Sequence, residues 1–389
     1  MPEAATRSGD VRPIYLDHQS TTPVDPRVAA LVVDVMTTRF GNAASVDHLY
    51  GEEASALVED AAAGVAGLVG ALPDQVRFTS GATGAIRLAL EIARSKLDGP
   101  IQIVTSRAEH KAVLDAIKRL VSIDAARVSW LPIDGYGRVE LGGIEAALAT
   151  GADLLCMMAA NNEVGTLYPI EAAAELARDA GAEILVDATQ AAGLVTIEAD
   201  SWGIDYLVLS AHKLYGPKGI GAMVGPSARS NAAEESSGHA GTTNVPGAAG
   251  FGLACVIARE ERAEFEPHLR SVRDRLETAL LAELPDLVVN GDRARRLPHN
   301  LHVSVPGAPN HAVVARLRRE VAISTGAACT SGAQEPSHVL RAMGLSDELQ
   351  ETALRISPGR GTSLQDADRA AEAIIRAARA VRSEVREYA

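Results

Sequence analysis

A lysine follows an apolar run in the segment LSAHKLYGPKGIGAM, where Ser210, His212 and Lys213 precede a turn rich in glycine and proline. A lysine held at a strand end among apolar residues loses hydration, which lowers its pKa and makes its amine a nucleophile for Schiff-base formation. The alternative is a surface lysine beside a serine that tolerates phosphate. The polar groups at the neighbouring strand ends weigh against that alternative.

An acidic residue ends a second apolar run, ILVDATQ, in which Asp187 is followed three residues later by Gln190. In open α/β sheets, ligands bind beyond the carboxyl ends of the strands. An aspartate at that place can keep a pyridinium nitrogen protonated. A Schiff-base lysine with an acidic partner for the ring nitrogen is the arrangement that pyridoxal phosphate requires. The competing interpretation is that Asp187 caps the following helix.

Three further segments bring polar groups to strand ends. FTSGATGAI joins a strand to a helix predicted from about Ala82, and its free amides and helix dipole suit an anion, with Thr83 adding a hydroxyl. AEHKAVLD places His110 at a helix start, where it can stack on a cofactor, move protons or be structural. ANNEVG places Asn161 and Asn162 after another strand, where a turn or cap is the alternative. One cleft would gather these groups.

The elements that must position these groups alternate along the chain. The predicted strands are QVRFTS, IQIVTS, RVSWLP, DLLCMMAA, AEILVDAT and DYLVLSAH. Helical segments between them imply βαβ units and a mainly parallel sheet. NAAEESSGHAGTTNVPGAAG is then predicted to be a functional loop. A long charged helix follows, EERAEFEPHLRSVRDRLETALLAEL, and leads into a smaller α+β region.

Composition excludes several classes of protein. The length of 389 residues suggests two or three domains, and 47% apolar with 3% aromatic content predicts a large aliphatic core. A net charge of −13 argues against a nucleic-acid or anionic-membrane binder, because no basic excess neutralises phosphate. The chain shows no secretory signal, no transmembrane-length apolar run and few cysteines. These features predict a cytoplasmic protein.

Of the three cysteines, Cys329 stands apart, because its segment STGAACTSG consists of small residues. Small residues let a chain move at little steric cost, which suits a working thiol. Cys156 and Cys255 stand in apolar runs and are predicted to be buried and inert.

The segments together resemble the cysteine desulfurases, pyridoxal-phosphate enzymes of the class V aminotransferase group. The resemblance rests on YLDHQSTTPVDPRV, FGNAAS, TSGAT, EHKAVLD, NNEVG, VDATQ, SAHKLYGPKGIGA, TGAACTSG, EPSHVLRAMG and LRISPGR. The cysteine segment is similar to the long-loop subgroup typified by the iron–sulfur-cluster and nitrogen-fixation desulfurases. This implies an α/β fold of type I. A large domain over residues 20–265 would hold a mainly parallel seven-stranded sheet, and residues 1–19 and 266–389 would form a smaller α+β domain.

The resemblance also implies a role for each matching residue. Lys213 would form a Schiff base with pyridoxal 5′-phosphate, Asp187 would pair with the ring nitrogen and His110 would stack on the ring. Gln190 and Asn161 would bond the phenolic oxygen. The phosphate would be held by residues on two segments and by a second subunit of a homodimer, namely Ala82, Thr83, Ser210, His212 and the partner chain's equivalent of Thr242. Arg355 would clamp the substrate carboxylate with Asn42 beside it.

The implied reaction takes sulfur from L-cysteine. Lys213 would remove the α-proton, the Cys329 thiolate would attack the substrate sulfur, and alanine would leave. His110 is a candidate for activating the thiol. The persulfide would pass to an acceptor protein, with iron–sulfur assembly, tRNA thiolation and DNA sulfur modification all open. The alternatives are a selenocysteine lyase, another pyridoxal-phosphate lyase on the same fold, or a non-catalytic adaptor of a sulfur pathway.

Overall fold

The computed structural model describes residues 12–229, 242–325 and 337–388. Its strands are β1 Ile14–Tyr15, β2 Val76–Thr79, β3 Ile101–Ser106, β4 Ala126–Leu131, β5 Leu154–Met158, β6 Glu183–Asp187, β7 Tyr206–Ser210, β8 Gly221–Val224, β9 Val288–Val289, β10 Leu301–Ser304, β11 Val321–Ala322 and β12 Ala353–Ile356. Its α-helices are α1 Pro26–Thr37, α2 Leu49–Leu68, α3 Ala82–Ser95, α4 Lys111–Ser122, α5 Leu141–Leu148, α6 Ile170–Asp179, α7 Ala199–Trp202, α8 Val245–Glu283, α9 Asn310–Leu317, α10 His338–Ala342, α11 Asp347–Glu351 and α12 Leu364–Tyr388.

The main sheet has seven strands in the order β2-β8-β7-β6-β5-β3-β4. Strand β8 is antiparallel to both of its neighbours, and every other neighbouring pair is parallel. All residues of β5 and β7 are buried, as expected when helices cover both faces of a parallel sheet. The predicted α/β fold of type I with a mainly parallel seven-stranded sheet is therefore confirmed.

Strand β8 is the member of this sheet that the sequence interpretation missed, because GPKGIGAM reads as a turn. Glycine is required at its first position, since a Cβ on Gly221 would lie 2.5 Å from the Leu209 oxygen and 2.7 Å from the Gly81 Cα. The close approach brings the start of β8 against the turn that precedes helix α3. The same glycine content that looks like a turn thus brings two site segments together.

Helix α8 begins at Val245, so the predicted loop over residues 231–250 is wrong for its last six residues. The Asn244 side chain accepts a hydrogen bond from the Gly247 N–H at 3.0 Å and starts the helix. Small residues then let α8 lie directly on α2, since a Cβ on Gly252 would lie 2.4 Å from the Ala61 Cα. The helix continues through Pro267 to Glu283, so the predicted boundary at residue 265 falls inside it.

Two small sheets lie beyond the main one. One has the antiparallel order β12-β10-β9, and the other pairs β1 with β11 in parallel. A bridge between Asp17 and Ser357 and another between Ser324 and Arg355 connect these sheets. The first strand of the chain is thereby set beside the last strand.

The predictions for two of the cysteines are confirmed. Cys156 and Cys255 are fully buried, in β5 and α8, and burial raises the pKa of both thiols. Cys329 lies outside the described residues. Among the described helices, none is both long enough and apolar enough to cross a membrane.

Candidate active site

A cleft of about 340 Å³ lies beyond the carboxyl ends of the parallel strands. It collects side chains from the starts of α3 and α4 and from the segments that follow β5 and β6. The lining residues are Ala82, Thr83, Ile86, His110, Ala112, Met158, Ala160, Asn162, Asp187, Thr189 and Gln190. Five residues assigned from the sequence are therefore brought to one place, namely Ala82, Thr83, His110, Asp187 and Gln190.

Lys213 ends a single turn of 3₁₀ helix that follows β7 directly. Its Nζ donates a hydrogen bond to the Ser20 main-chain oxygen at 2.8 Å and another to the Gln19 oxygen. Burial, reinforced by the positive charge of Arg355, lowers the pKa of Lys213 to about 8. The amine therefore releases its proton far more readily than an ordinary lysine, as nucleophilic chemistry requires.

A second cavity of about 430 Å³ lies beside the lysine. His18, Tyr215, Phe265, Leu269 and Lys213 are among the residues that line it.

Asp187 is the last residue of β6 and is only 6% exposed. One carboxylate oxygen, Oδ1, accepts a hydrogen bond from the Thr189 N–H at 3.0 Å. The other oxygen makes no hydrogen bond within the described part of the chain. The turn-forming role and the ligand role are thus compatible, because each uses a different oxygen.

His110 caps the start of α4, with its Nδ1 accepting a hydrogen bond from the Ala112 N–H at 3.1 Å. Loss of hydration lowers the pKa of His110, opposed by the charge of Asp187. Because Nδ1 accepts, the neutral ring carries its hydrogen on Nε2. This tautomer can donate a hydrogen bond or stack, and it has no free lone pair with which to take a proton.

The start of α3 is open to an anion. Gly81, at φ +144°, precedes the helix and offers no side-chain cap, so no capping side chain among the described residues occupies the first-turn amides. A Cβ on Gly81 would lie 4.0 Å from the Ser210 Oγ, so Ser210 stands against this turn. Burial, followed by the charges of Lys213 and Lys218, lowers the pKa of His212 to about 4 and keeps its ring neutral.

Asn161 does not line the cleft, which corrects its assignment to the cofactor. Its Oδ1 accepts from the N–H groups of Glu163 and Val164 at 2.9 and 3.0 Å, and its Nδ2 donates to the Ala108 oxygen at 3.1 Å. Its amide is fully engaged in holding the turn. Asn162 lines the cleft instead, with a buried Oδ1 that has no hydrogen-bond partner in residues 12–229, 242–325 and 337–388.

Arg355 lies on β12 and is only 7% exposed. Its Nη1 donates to the main-chain oxygen of Asn162 at 2.8 Å, and its Nη2 donates to Asp17 Oδ1 at 2.9 Å. Asn42 is exposed and accepts a hydrogen bond from the Ala44 N–H, and no described contact joins it to Arg355. Thr242 is exposed.

The sequence interpretation gave no role to Asp17 and Gln19, which complete the site. Gln19 supplies a main-chain oxygen to Lys213 and also to the Gln190 side chain at 3.0 Å. Both residues stand in YLDHQSTT, which contributed to the resemblance. Their contacts span more than 170 residues of sequence, so local patterns do not predict them.

Comparisons with known proteins agree with this geometry. The model of the class V aminotransferase family matches residues 14–369. The cysteine desulfurase IscS of Anaeromyxobacter sp. (strain Fw109-5) is 39% identical over 379 residues, which are 95% of this chain and 93% of that protein. The chain belongs to the class V aminotransferase family, among its cysteine desulfurases. As a cysteine desulfurase it is an enzyme, so a non-catalytic adaptor is not supported.

Two solved structures are similar to this cysteine desulfurase. A NifS-like protein superposes with a TM-score of 0.84 at 30% identity, covering 94% of this chain and 99% of that one. SspA in complex with cysteine superposes with a TM-score of 0.74 at 28% identity, covering 88% of this chain and 98% of that one. The desulfurases of this family depend on pyridoxal phosphate.

The residues of the cleft fit that cofactor. Asp187 offers a carboxylate oxygen for a ring nitrogen, and the open start of α3 with Ser210 offers donors for a phosphate. Two buried oxygens on the cleft wall, Asn162 Oδ1 and Thr189 Oγ1, have no hydrogen-bond partner in the part of the chain that the structure describes, which is costly unless a ligand or water supplies one.

Proposed function

We propose that this cysteine desulfurase removes sulfur from L-cysteine, releases L-alanine and carries the sulfur as a persulfide on Cys329 to an acceptor protein. The position of the residues that flank the cysteine segment carries the proposal. The Ser324 main chain pairs with Arg355, with N–O distances of 3.2 and 2.8 Å. The Ser337 hydroxyl donates to Glu163, next to Asn162 of the cleft wall. Five residues of chain span at most about 18 Å, which limits the distance from Ser324 to Cys329.

The cofactor would be pyridoxal 5′-phosphate, which supplies an electron sink for the carbon that loses its proton. Lys213 would hold it covalently, Asp187 would bind its ring nitrogen, and Gln190 with Asn162 would reach its ring oxygen. The first turn of α3, with Ala82 and Thr83, would bind the phosphate together with Ser210 and His212. His110 would cover the ring and donate from Nε2, since its Nδ1 lone pair is committed to Ala112.

Proton transfer falls to Lys213. The substrate amine would replace Lys213 on the cofactor and so free its amine. With a pKa of about 8, part of that amine is neutral near neutral pH, so Nζ can take the α-proton of the substrate. Arg355 would hold the substrate carboxylate, because a guanidinium offers paired donors to a carboxylate. The Cys329 thiolate then bonds to the substrate sulfur as the carbon–sulfur bond breaks. The carbon fragment leaves as alanine once it is protonated.

We also propose a cytoplasmic homodimer in which Thr242 of each chain reaches the phosphate of the other. Exposed apolar side chains cluster on α1, on α2 and between them, where a monomer would leave them in water. They are Val33, Met36, Phe40, Val46, Leu49 and Tyr50, each at least 53% exposed. Thr242 itself is exposed and free to meet a second chain.

The division into a large domain over residues 20–265 and a small domain of residues 1–19 and 266–389 remains a proposal. One apolar core supports it, because Leu16 of the first segment packs with residues that all come after 266. Members of that core include Val272, Leu301, Val321 and Ile374.

The test of the sulfur carrier is Cys329→Ser, with Cys255→Ala as the matched cysteine control. We expect Cys329→Ser to keep the absorption of bound cofactor and to lose alanine production from L-cysteine in the presence of a thiol reductant. Cys255→Ala should keep both, because Cys255 is buried in α8. Alanine production at the parent rate by Cys329→Ser would remove Cys329 as the acceptor.

A further inference from the structure

Arg355 already holds a carboxylate of its own chain. Its Nη2 donates to Asp17 Oδ1 at 2.9 Å, and the pair is largely withdrawn from water, with side-chain exposures of 8% for the arginine and 22% for the aspartate. Pairs in this setting are screened less than surface ion pairs, whose net contribution is small. Asp17 therefore influences the charge that Arg355 carries beside Asn162 of the cleft wall.

The main chain fixes Asp17 in this position. Residues on both of its sides are hydrogen-bonded to Ser357, with the Ser357 N–H donating to the Leu16 oxygen at 2.8 Å and the His18 N–H donating to the Ser357 oxygen at 3.1 Å. The Leu16 N–H also donates to the Ala322 oxygen at 2.9 Å. These main-chain hydrogen bonds fix the backbone on both sides of Asp17, so its carboxylate is held near Arg355.

The hydrogen bonds of Arg355 leave a defined set of donors for a ligand. One hydrogen of Nη1 is donated to the main-chain oxygen of Asn162, and one hydrogen of Nη2 is donated to Asp17 Oδ1. The Nε–H is buried and has no hydrogen-bond partner among the described residues. A guanidinium has five N–H groups, so one hydrogen remains on each Nη. A ligand carboxylate that binds Arg355 would use donors from this set while the Asp17 charge stays on the same guanidinium.

The two charges also act in opposite directions on a neighbour. The charge of Arg355 lowers the pKa of Lys213, whereas the charge of Asp17 raises it. Asp17 therefore offsets part of the positive field that Arg355 exerts at Lys213. A ligand carboxylate near Lys213 meets a weaker attraction than Arg355 alone would provide.

We infer that Asp17 limits how tightly the α-carboxylate of substrate and product is held, and this rests on the proposed role of Arg355. L-Cysteine and L-alanine carry the same α-carboxylate, so the limit applies to both. A site that held this group too tightly would retain alanine after each turnover. Asp17 is in this sense a residue that sets affinity through Arg355 and does not itself touch the substrate.

The test is Asp17→Asn, which keeps an oxygen acceptor for Arg355 and removes the charge. We expect the dissociation constant of L-alanine from the cofactor-loaded enzyme, measured by calorimetry, to fall by about three- to tenfold. KM for L-cysteine should fall in parallel, while L-alaninamide, which lacks the carboxylate, should bind as it does to the parent. Asp368→Asn is the matched control, because Asp368 pairs with Arg275 at 2.6 Å on the surface.

Unchanged or weaker alanine binding in Asp17→Asn would overturn the inference, as would equal tightening for alaninamide. If Asp17→Asn does not fold, Asp17→Ser removes the same charge with a smaller side chain and should shift alanine binding in the same direction. Arg355→Gln separates the two hypotheses. Parent-like alanine binding by Arg355→Gln would overturn the role of Arg355 itself, whereas a loss there with no effect of Asp17→Asn would overturn only the inference.

Discussion

The Lys213 amine donates a hydrogen bond at 2.8 Å to the main-chain oxygen of Ser20, which stands 193 residues earlier in the chain. The same amine also donates a hydrogen bond to the main-chain oxygen of Gln19. That oxygen accepts another hydrogen bond from the Gln190 side chain. Two carbonyl groups thus hold the free lysine, while burial and Arg355 oppose its protonation. The N-terminal segment is as much a part of the site as the end of β7.

We expect the Lys213 amine to lose its proton at unusually low pH. Its pKa falls from 10.5 to about 8, chiefly because burial destabilises the ammonium form. In cofactor-free protein, competitive acylation followed by mass spectrometry should show half-maximal labelling of Lys213 near pH 8. A midpoint near the free-lysine value of about 10.4 would contradict the lowered pKa.

The same shift has a consequence for stability. Between about pH 8 and 10.5 the unfolded chain holds the Lys213 proton while the folded chain has released it. The contribution of this group to the free energy of unfolding therefore rises with pH across that window. Chemical denaturation of the parent and of Lys213→Met at several pH values isolates that contribution. An identical pH slope for the two proteins would argue against it.

Asn161 and Asn162 are adjacent and should respond differently to alanine. Asn161→Ala removes three hydrogen bonds inside a buried turn, so we expect the free energy of unfolding to fall by about 3 kcal/mol. Asn162→Ala should leave the stability of the cofactor-free protein nearly unchanged and weaken cofactor retention during dialysis. Urea unfolding and cofactor absorbance measure the two effects. Equal losses of stability would contradict this division of roles.

The contact between α2 and α8 depends on glycine. Gly252→Ala would place a Cβ 2.4 Å from the Ala61 Cα, so we expect a loss of about 2 kcal/mol in urea unfolding. Gly142→Ala in α5 is the matched control, since its Cβ would meet nothing within 4 Å. It should instead stabilise by about 0.5–1 kcal/mol, because alanine loses less backbone entropy in a helix. A neutral Gly252→Ala would show that the helices can separate at little cost.

The exposed apolar cluster predicts how the subunits associate. Met36→Asp combined with Phe40→Asp places two charges on side chains that are 62% and 64% exposed. We expect sedimentation to show conversion of a dimer to a monomer and cofactor retention to weaken, because Thr242 of the second chain would be lost from the phosphate. Val121→Asp, on α4, is the control and should remain dimeric. A dimer that survives the double change would place the interface elsewhere.

Local patterns were sufficient to predict the strands that form the site. Strands β2 to β7 coincide with apolar runs of ordinary length, and polar residues stand at their ends. Asp187 and Lys213 could therefore be recognised as candidate site residues. β8 and the start of α8 escaped prediction because glycine-rich sequence resembles a turn whether or not tertiary packing extends it. Whether such a segment forms a turn or a regular element depends here on packing of Gly221 against Gly81 and of Gly252 against Ala61. Each pair is far apart in the chain, so a local stretch of sequence does not contain both members.

The polar contacts between distant segments were also beyond sequence reasoning. Asn161 and Asn162 are chemically identical, and only the direction of each side chain decides which one faces the cleft. The pairing of Asp17 with Arg355 depends on the bridge between Asp17 and Ser357, which lie just after β1 and β12. Such contacts join segments that are far apart in the chain, so they form only when the whole chain has folded.

Helix α8 is continuous from Val245 to Glu283, and it contains an internal proline, Pro267. Pro267 lacks the N–H that would bond the Ala263 oxygen, so bending is easiest there. Phe265 and Leu269 flank that proline, and both line the cavity beside Lys213. The wall of the cavity beside Lys213 therefore includes the part of the helix that bends most easily. A shape change of this helix at Pro267 would therefore alter the space next to the Lys213 side chain.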